Sequence, residues 1–309
     1  MKNLKHTIFS LMIVSSFFTN LIAMDIADQR AGTLKSLKFG IVTKRGASHK
    51  EHGQKSEDRV QEACLKRQIK QGKDTDYFFG VFDGHGSDQV AKYLEKKLAL
   101  NLLTKLAREK DHKGLDDAIK SAFKSCDDEV KQLEKQGSCA LIAVVLDNTL
   151  TIANTGDTVA YLITETDAGL EIGSTQIDRP TFEDECKRIK DAKGTVVENK
   201  GALRVQGIYS CSRAIGDHTR VRGLIADPRI YKYMLNPSYK LLIICSDGVW
   251  EIFNTPEQNV VFSTVMDSIN KNSDAKNPAK KAAQKLIDRA IEKGARDDLS
   301  AIVVIFDWQ

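Results

Sequence analysis

Asp83 follows the apolar run FFGVF, Asp157 follows LTIANTG, Asp247 follows LLIICS, and Asp297 with Asp298 precede LSAIVVIF. Four separate strand ends therefore carry a carboxylate, most with glycine alongside. Burying a single uncompensated carboxylate is costly, so several at strand termini point to a shared cation that cancels their mutual repulsion. Hard oxygen donors with hardly any histidine or thiol nearby favour Mg²⁺ or Mn²⁺ over zinc. A lone Asp-Gly pair reads as a turn; the set as a whole reads as a metal centre.

The elements that must position these acids are legible in the hydrophobic pattern. Segments 37–43, 76–82, 139–146, 150–154, 159–164, 240–246 and 300–306 are short runs rich in β-branched and aromatic residues, the mark of strands. Asp147 and Asn148 join two of them as a tight turn, and Asn154 to Asp157 is expected to join the next pair, so that consecutive strands pair antiparallel. Val90, Leu94, Leu98, Leu102 and Leu106 recur at helical spacing, as do Ala118, Ala122, Cys126 and Val130. A third amphipathic helix is expected over 278–293, with Pro278 in its first turn and Gly294 past its end. Two long helices in succession, flanked by groups of antiparallel strands, argue for an α+β layered domain. A Rossmann fold would need strands and helices in regular alternation.

Composition sets the outer limits. The 309 residues are 41% hydrophobic and 28% charged, as in ordinary globular chains. A formal charge of +4, with basic and acidic residues interleaved along the whole length, offers no footprint for nucleic acid. The six cysteines, Cys64, Cys126, Cys139, Cys186, Cys211 and Cys245, show no CxxC or zinc spacing, and those in strand-like runs are expected to act as small hydrophobes. The N-terminus is distinct: a short basic MKNLKH, then an uncharged apolar stretch ending at Ala23. Residues 1–23 read as a cleaved export signal, and residues 7–24 as a membrane anchor if they are retained. Export and secretion lead and an anchor follows, while a core helix of the fold is least expected because no polar face of helical period interrupts the run.

Seven ordered segments resemble the metal-dependent protein serine/threonine phosphatases of the 2C type, the PPM family. They are SED at 56–58, VFDGHG at 81–86, GSCALIAVVL at 137–146, IANTGDTVAYL at 152–162, SRAIGD at 212–217, CSDGVWEIF at 245–253 and GARDDLSAIVVIF at 294–306. The resemblance spans about residue 39 to the end, and it implies a catalytic domain over 34–309. It implies a four-layer αββα sandwich: two antiparallel sheets face to face, flanked by helices, with a binuclear centre at one edge. By motif, Asp83 would bridge two ions of Mn²⁺ or Mg²⁺, Gly84 would lend its carbonyl, Glu57 would complete one ion's ligands, and Asp247 and Asp297 would hold the other. Asp58 would orient a water. A metal-bridging hydroxide would attack phosphoserine or phosphothreonine of a protein substrate without a phosphoenzyme, and His85 would protonate the leaving alkoxide. The chain is expected to work as a monomer on phosphoproteins. The alternative is a weak or inactive relative that binds phosphoproteins.

Departures from the family pattern carry their own expectations. A third, weaker ion is implied near Asp157 and Glu251, where aspartate is more usual than glutamate. The arginine that the family places before its Glu-Asp pair is missing, so Lys55, or else His52 or Arg45, would hold the substrate phosphate, and a lysine supplies no planar fork. Residues 173–235 contain a flap whose customary histidine-lysine pair is absent, and Arg213 and Asp217 are expected to form an ion pair that braces it.

Overall fold

The computed structural model describes residues 32–64, 73–107, 114–133, 135–217, 221–253 and 258–309. The expected export signal or anchor lies outside the described residues. Among those described, no helix is long and apolar enough to cross a membrane.

Two antiparallel sheets carry the fold. The first contains β1 (Leu34–Lys44), β6 (Val159–Thr166), β7 (Gly169–Ser174), β12 (Tyr239–Cys245) and β13 (Leu299–Trp308), in the order β1-β13-β12-β6-β7. The second contains β2 (Arg59–Cys64), β3 (Tyr77–His85), β4 (Gly137–Leu146), β5 (Thr149–Thr155) and β11 (Arg229–Met234), in the order β11-β5-β4-β3-β2. The short β10 (Ile215–Gly216) adds to the end of β4. A separate hairpin, β8 (Val196–Asn199) with β9 (Ala202–Val205), stands off the sandwich.

Alternation along the strands builds three apolar layers. Phe79 and Val81 of β3 point between the sheets, where they meet Leu141, Ile152, Leu162, Ile244 and Ile302. Phe78 and Phe82 point the other way, onto α2 (Gln89–Leu106) and α3 (Leu115–Glu129), packing with Leu94, Leu98, Ile119 and Phe123. The outer face of the first sheet, including Ile243 and Val303, is covered by α6 (Gln258–Lys271) and α7 (Pro278–Glu292) through Val261, Ala283 and Leu286. Helix, sheet, sheet and helix are thus stacked as expected. Helix α7 starts where its signals place it, with Pro278 in the first turn and the Asn277 side chain accepting from Lys280 N at 2.9 Å.

One expectation fails instructively. Asp147 and Asn148 do form a tight turn between β4 and β5, both with positive φ (49° and 62°), the geometry of a type I′ hairpin. Asn154–Asp157, however, does not join an antiparallel pair: β5 belongs to the second sheet and β6 to the first. The segment is a corner between sheets. Asn154 Nδ2 ties it together, donating to the carbonyls of Gly156, Thr158 and Gln176 at 3.2, 2.9 and 3.2 Å. Local sequence marks a turn; only the partners of each strand distinguish a hairpin from a corner.

Candidate active site

Register explains why acids distant in sequence meet. Cys245, the last residue of β12, pairs with Val159 at the start of β6 and with Ala301 near the start of β13. Asp247 just after β12, Asp157 just before β6 and Asp297 just before β13 therefore share one edge of the first sheet. The second sheet brings Asp83, Gly84 and His85 at the end of β3, paired with Cys139, Ser138 and Gly137 of β4. Glu57 and Asp58 arrive immediately before β2. A cavity of about 620 Å³ opens where these ends converge, and Glu57, Asp83, Asp157, Asp247 and Asp297 all line it.

Close approach at this edge demands residues without side chains. A Cβ on Gly84 would lie 2.6 Å from the Glu57 carbonyl oxygen, so the Glu57 backbone can approach β3 only at glycine. A Cβ on Gly137 would lie 2.4 Å from His85 Nε2 and 2.8 Å from Asp217 Oδ2. Its absence leaves room for the hydrogen bond between them, 2.9 Å from Nε2 to the carboxylate.

The electrostatics are those of crowded carboxylates. Burial pushes Asp83 well above the usual carboxylate range, and Asp247, Asp58, Asp157 and Asp297 add to it. Asp247 is raised by burial and by Asp157 and Asp297. Burial also raises Glu57 and Asp297. Asp58 is pushed up to about 7 by burial, against hydrogen bonds from Ser300 and Ser246, and its buried Oδ2 has no hydrogen-bond partner among the described residues. Asp298 organises the rim: it accepts from Gly46 N at 2.7 Å and Glu57 N at 2.6 Å, and His49 Nδ1 lies 2.9 Å from Oδ2. That network sets the backbone position of Glu57.

The donor set fits divalent cations. Hard oxygens dominate it, its carboxylates resist ionisation without a counter-charge, and Asp58 keeps one buried oxygen free of any donor. As they stand, no three histidine, cysteine, aspartate or glutamate side chains among the described residues are drawn together tightly enough to hold an ion.

Several residues lie where sequence reasoning does not put them. Lys55 is exposed and outside the cavity, its charge falling on Asp88. Arg45 is exposed and donates to the Gln54 carbonyl at 3.1 Å, while His52 Nδ1 lies 2.8 Å from the Ser48 carbonyl. None of the three lines the cavity; Lys135 and Arg204 do. Within the segment before β2, His49 and Glu57 line the cavity while Lys55 stays outside it, and Arg204 reaches it from β9 of the β8–β9 hairpin. Arg213 does not pair with Asp217. It bonds Glu185 at 2.7 Å and lies 3.4 Å from Asp178, leaving Asp217 to His85. Asp217 adopts a left-handed φ of 50° to make that reach, a conformation that aspartate tolerates better than most residues. Cys139 is buried as expected, but Sγ donates to Asp157 Oδ1 at 3.2 Å, so it is more than a hydrophobe. Glu251 is half exposed, on the turn after α5 (Asp247–Trp250), and its carboxylate is held by Arg179. No motif marked Arg179 as a partner of Asp157, Asp298 as an anchor of the Glu57 backbone or Asp217 as an anchor of His85, since each pairing joins residues well apart in sequence.

Comparison with known proteins gives a consistent picture. A family model described as Protein phosphatase 2C matches residues 45–299. The chain is 30% identical over 236 residues to probable protein phosphatase 2C 2 of Arabidopsis thaliana, covering 76% of this chain and 60% of that protein. It is 32% identical over 233 residues to probable protein phosphatase 2C 59 of Oryza sativa subsp. japonica, covering 74% and 66%. The match thus spans only about half to two thirds of the length of most such curated relatives. Among solved structures, a serine-threonine phosphatase 2C from Toxoplasma gondii shares the fold with a TM-score of 0.71 at 20% identity, over 89% of this chain and 96% of that one. A sex determining protein of C. elegans does so with a TM-score of 0.75 at 22% identity, over 88% and 65%.

Proposed function

The chain belongs to the protein phosphatase 2C family, and from that premise we propose that it hydrolyses phosphoserine and phosphothreonine in proteins with the help of two divalent ions, Mn²⁺ or Mg²⁺. The observation that carries this reading is the delivery of Glu57, Asp83, Asp247 and Asp297 from four separate strand ends into one cavity. Loss of any of those carboxylates would mark an inactive relative; all are present.

Glu57, Asp83, Asp247 and Asp297, with the Gly84 carbonyl, would hold the ions. When bound, they supply an activated water and neutralise charge on the phosphoryl oxygens. Asp58, which does not itself line the cavity, would orient that water through its buried Oδ2, an atom with no hydrogen-bond partner among the described residues. His85 faces the cavity with its ring edge-on to Tyr209 at 5.5 Å and its Nε2 tied to Asp217. Asp217 thereby orients the ring, and His85 would give a proton to the serine or threonine alkoxide, which is too basic to leave unprotonated. Lys135 and Arg204, the cations on the open side, are placed to meet the phosphate or the phosphopeptide.

The test is phosphate release from a phosphothreonine peptide by protein stripped of metal, with Mn²⁺, with Mg²⁺ and with chelator. Turnover that requires the ion supports the reading. Ion binding without turnover on phosphopeptides overturns it in favour of a phosphoprotein-binding module.

A further inference from the structure

Arg179 occupies the place where the resemblance to 2C phosphatases puts a third, peripheral ion. Its Nε donates to Asp157 Oδ2 at 3.0 Å, and Nη2 lies at the same distance from that oxygen. Nη1 donates to Glu251 Oε1 at 2.9 Å, and Nη2 stands 3.7 Å from Asp247 Oδ2. The guanidinium also stacks over Trp250 at 5.0 Å, and Trp250 Nε1 in turn donates to the Asp157 carbonyl at 2.8 Å.

This is a built position. Asp178, the preceding residue, exchanges two hydrogen bonds with Gly156: Asp178 N to the Gly156 carbonyl at 2.9 Å, and Gly156 N to Asp178 Oδ2 at 3.2 Å. Ser212 N donates to the Asp178 carbonyl at 2.8 Å, and Arg229 Nε bonds the Asp178 carboxylate at 2.6 Å. Pro180 follows and biases Arg179 towards extended backbone. The segment carrying Arg179 is laced to the same corner that carries Asp157, so the guanidinium arrives with little freedom left to lose.

We propose that Arg179 is a resident cation that replaces the third metal ion, so that this chain loads two ions and holds Asp157 and Glu251 by the guanidinium instead. The inference rests on the two-ion reading above. A dication entering between Asp157 and Glu251 would have to break at least two charge-assisted hydrogen bonds and then sit in contact with a positive charge. Arginine cannot be neutralised by pH to make way, as a lysine could. Burial opposes the charge, but Asp157, Glu251 and Asp247 outweigh it and hold Arg179 above its ordinary pKa. Glu251, longer than the aspartate expected there, reaches the guanidinium rather than closing on an ion. Arg179 is thus a positioning residue, holding Asp157 and Glu251 in place and standing beside Asp247 while the ions bind elsewhere.

The experiment is a Mn²⁺ titration of the metal-stripped protein by calorimetry, with equilibrium dialysis for the count. Two ions per chain are expected for the unaltered protein, three for R179Q with the extra one weaker, and two again for R179Q/E251Q. E251Q alone, an exposed change that leaves folding intact, is expected to keep two. Three ions on the unaltered protein, loss of one ion in E251Q, or an R179Q that melts normally yet still binds two would each overturn the inference. Failure of the unaltered protein to bind any ion would instead sink the two-ion reading itself and this inference with it.

Discussion

His85 Nε2 and Asp217 Oδ2 lie 2.9 Å apart across 132 residues of sequence, in the space that Gly137 leaves by having no Cβ. The Asp217 side chain is fully buried, and among the described residues its Oδ1 has no hydrogen-bond partner, while its Oδ2 holds the imidazole.

A leaving-group split follows from that pairing. His85→Gln should lower kcat on a phosphoserine peptide by ~100-fold to ~10,000-fold, the range for a lost general acid. On an aryl phosphate, whose phenolate departs without a proton, the loss should stay under ~10-fold. Asp217→Asn and Gly137→Ala should give the same pattern more weakly, one by removing the anchor and the other by crowding it. Equal losses on both substrates would show that His85 has a structural role only.

Asp247→Asn should abolish ion-dependent turnover. Outer-sphere changes at metal sites cost ~10-fold to ~100-fold, so a direct ligand should cost more than ~100-fold, with one fewer tight Mn²⁺ per chain by equilibrium dialysis. A variant that retains both ions and turns over normally would remove Asp247 from the ligand set.

Substrate affinity should depend on the flap rather than on the segment before β2. Arg204→Ala should raise KM for a phosphopeptide by about 10-fold, the worth of one charge-assisted hydrogen bond, whereas Lys55→Ala should change it by less than about twofold because Lys55 stands outside the cavity. The reverse ranking would return the phosphate to Lys55.

The metal-stripped protein should become less stable as pH rises. A carboxyl whose folded pKa is raised binds its proton more tightly folded than unfolded, so its contribution is complete below ~4 and lost as pH climbs through the folded value. For Asp58 that value is about 7, and Asp83, Asp247, Asp297 and Glu57 shift in the same direction. Glu185 works oppositely, since Arg188, Arg213 and Ser212 outweigh its burial and hold it down to about 2, but its window closes by ~4.5. Between about pH 5 and about pH 8 the Tm should therefore fall, and Mn²⁺ should raise it more at the upper end. A Tm that climbs across this range without metal would contradict the crowding.

How much of this was legible in the chain varies by residue. Asp83, Asp157, Asp247 and Asp297 stand out because each ends or begins an apolar run, and strand character is a local property. The same holds for α7, where Asn277 and Pro278 announce the start. Lys55 lies outside the cavity and Arg213 turns to Glu185 instead of Asp217 for one reason: nearness in sequence to a site residue says little about which way a loop turns. Lys55 is two positions from Glu57 yet lies outside the cavity, while Arg204, 147 positions away, lines it.

Sequence alone marked the acids, since a carboxylate after a buried strand stands out wherever the strands end up, and it determined the layers, since alternation and helical spacing follow from backbone geometry. Tertiary structure alone decided that Asn154–Asp157 turns a corner between sheets, that Asp217 serves His85, and that Arg179 stands among Asp157, Asp247 and Glu251. Each of those is a contact between segments whose meeting depends on strand order, and strand order is set by the packing of both sheets together rather than by any local run of residues.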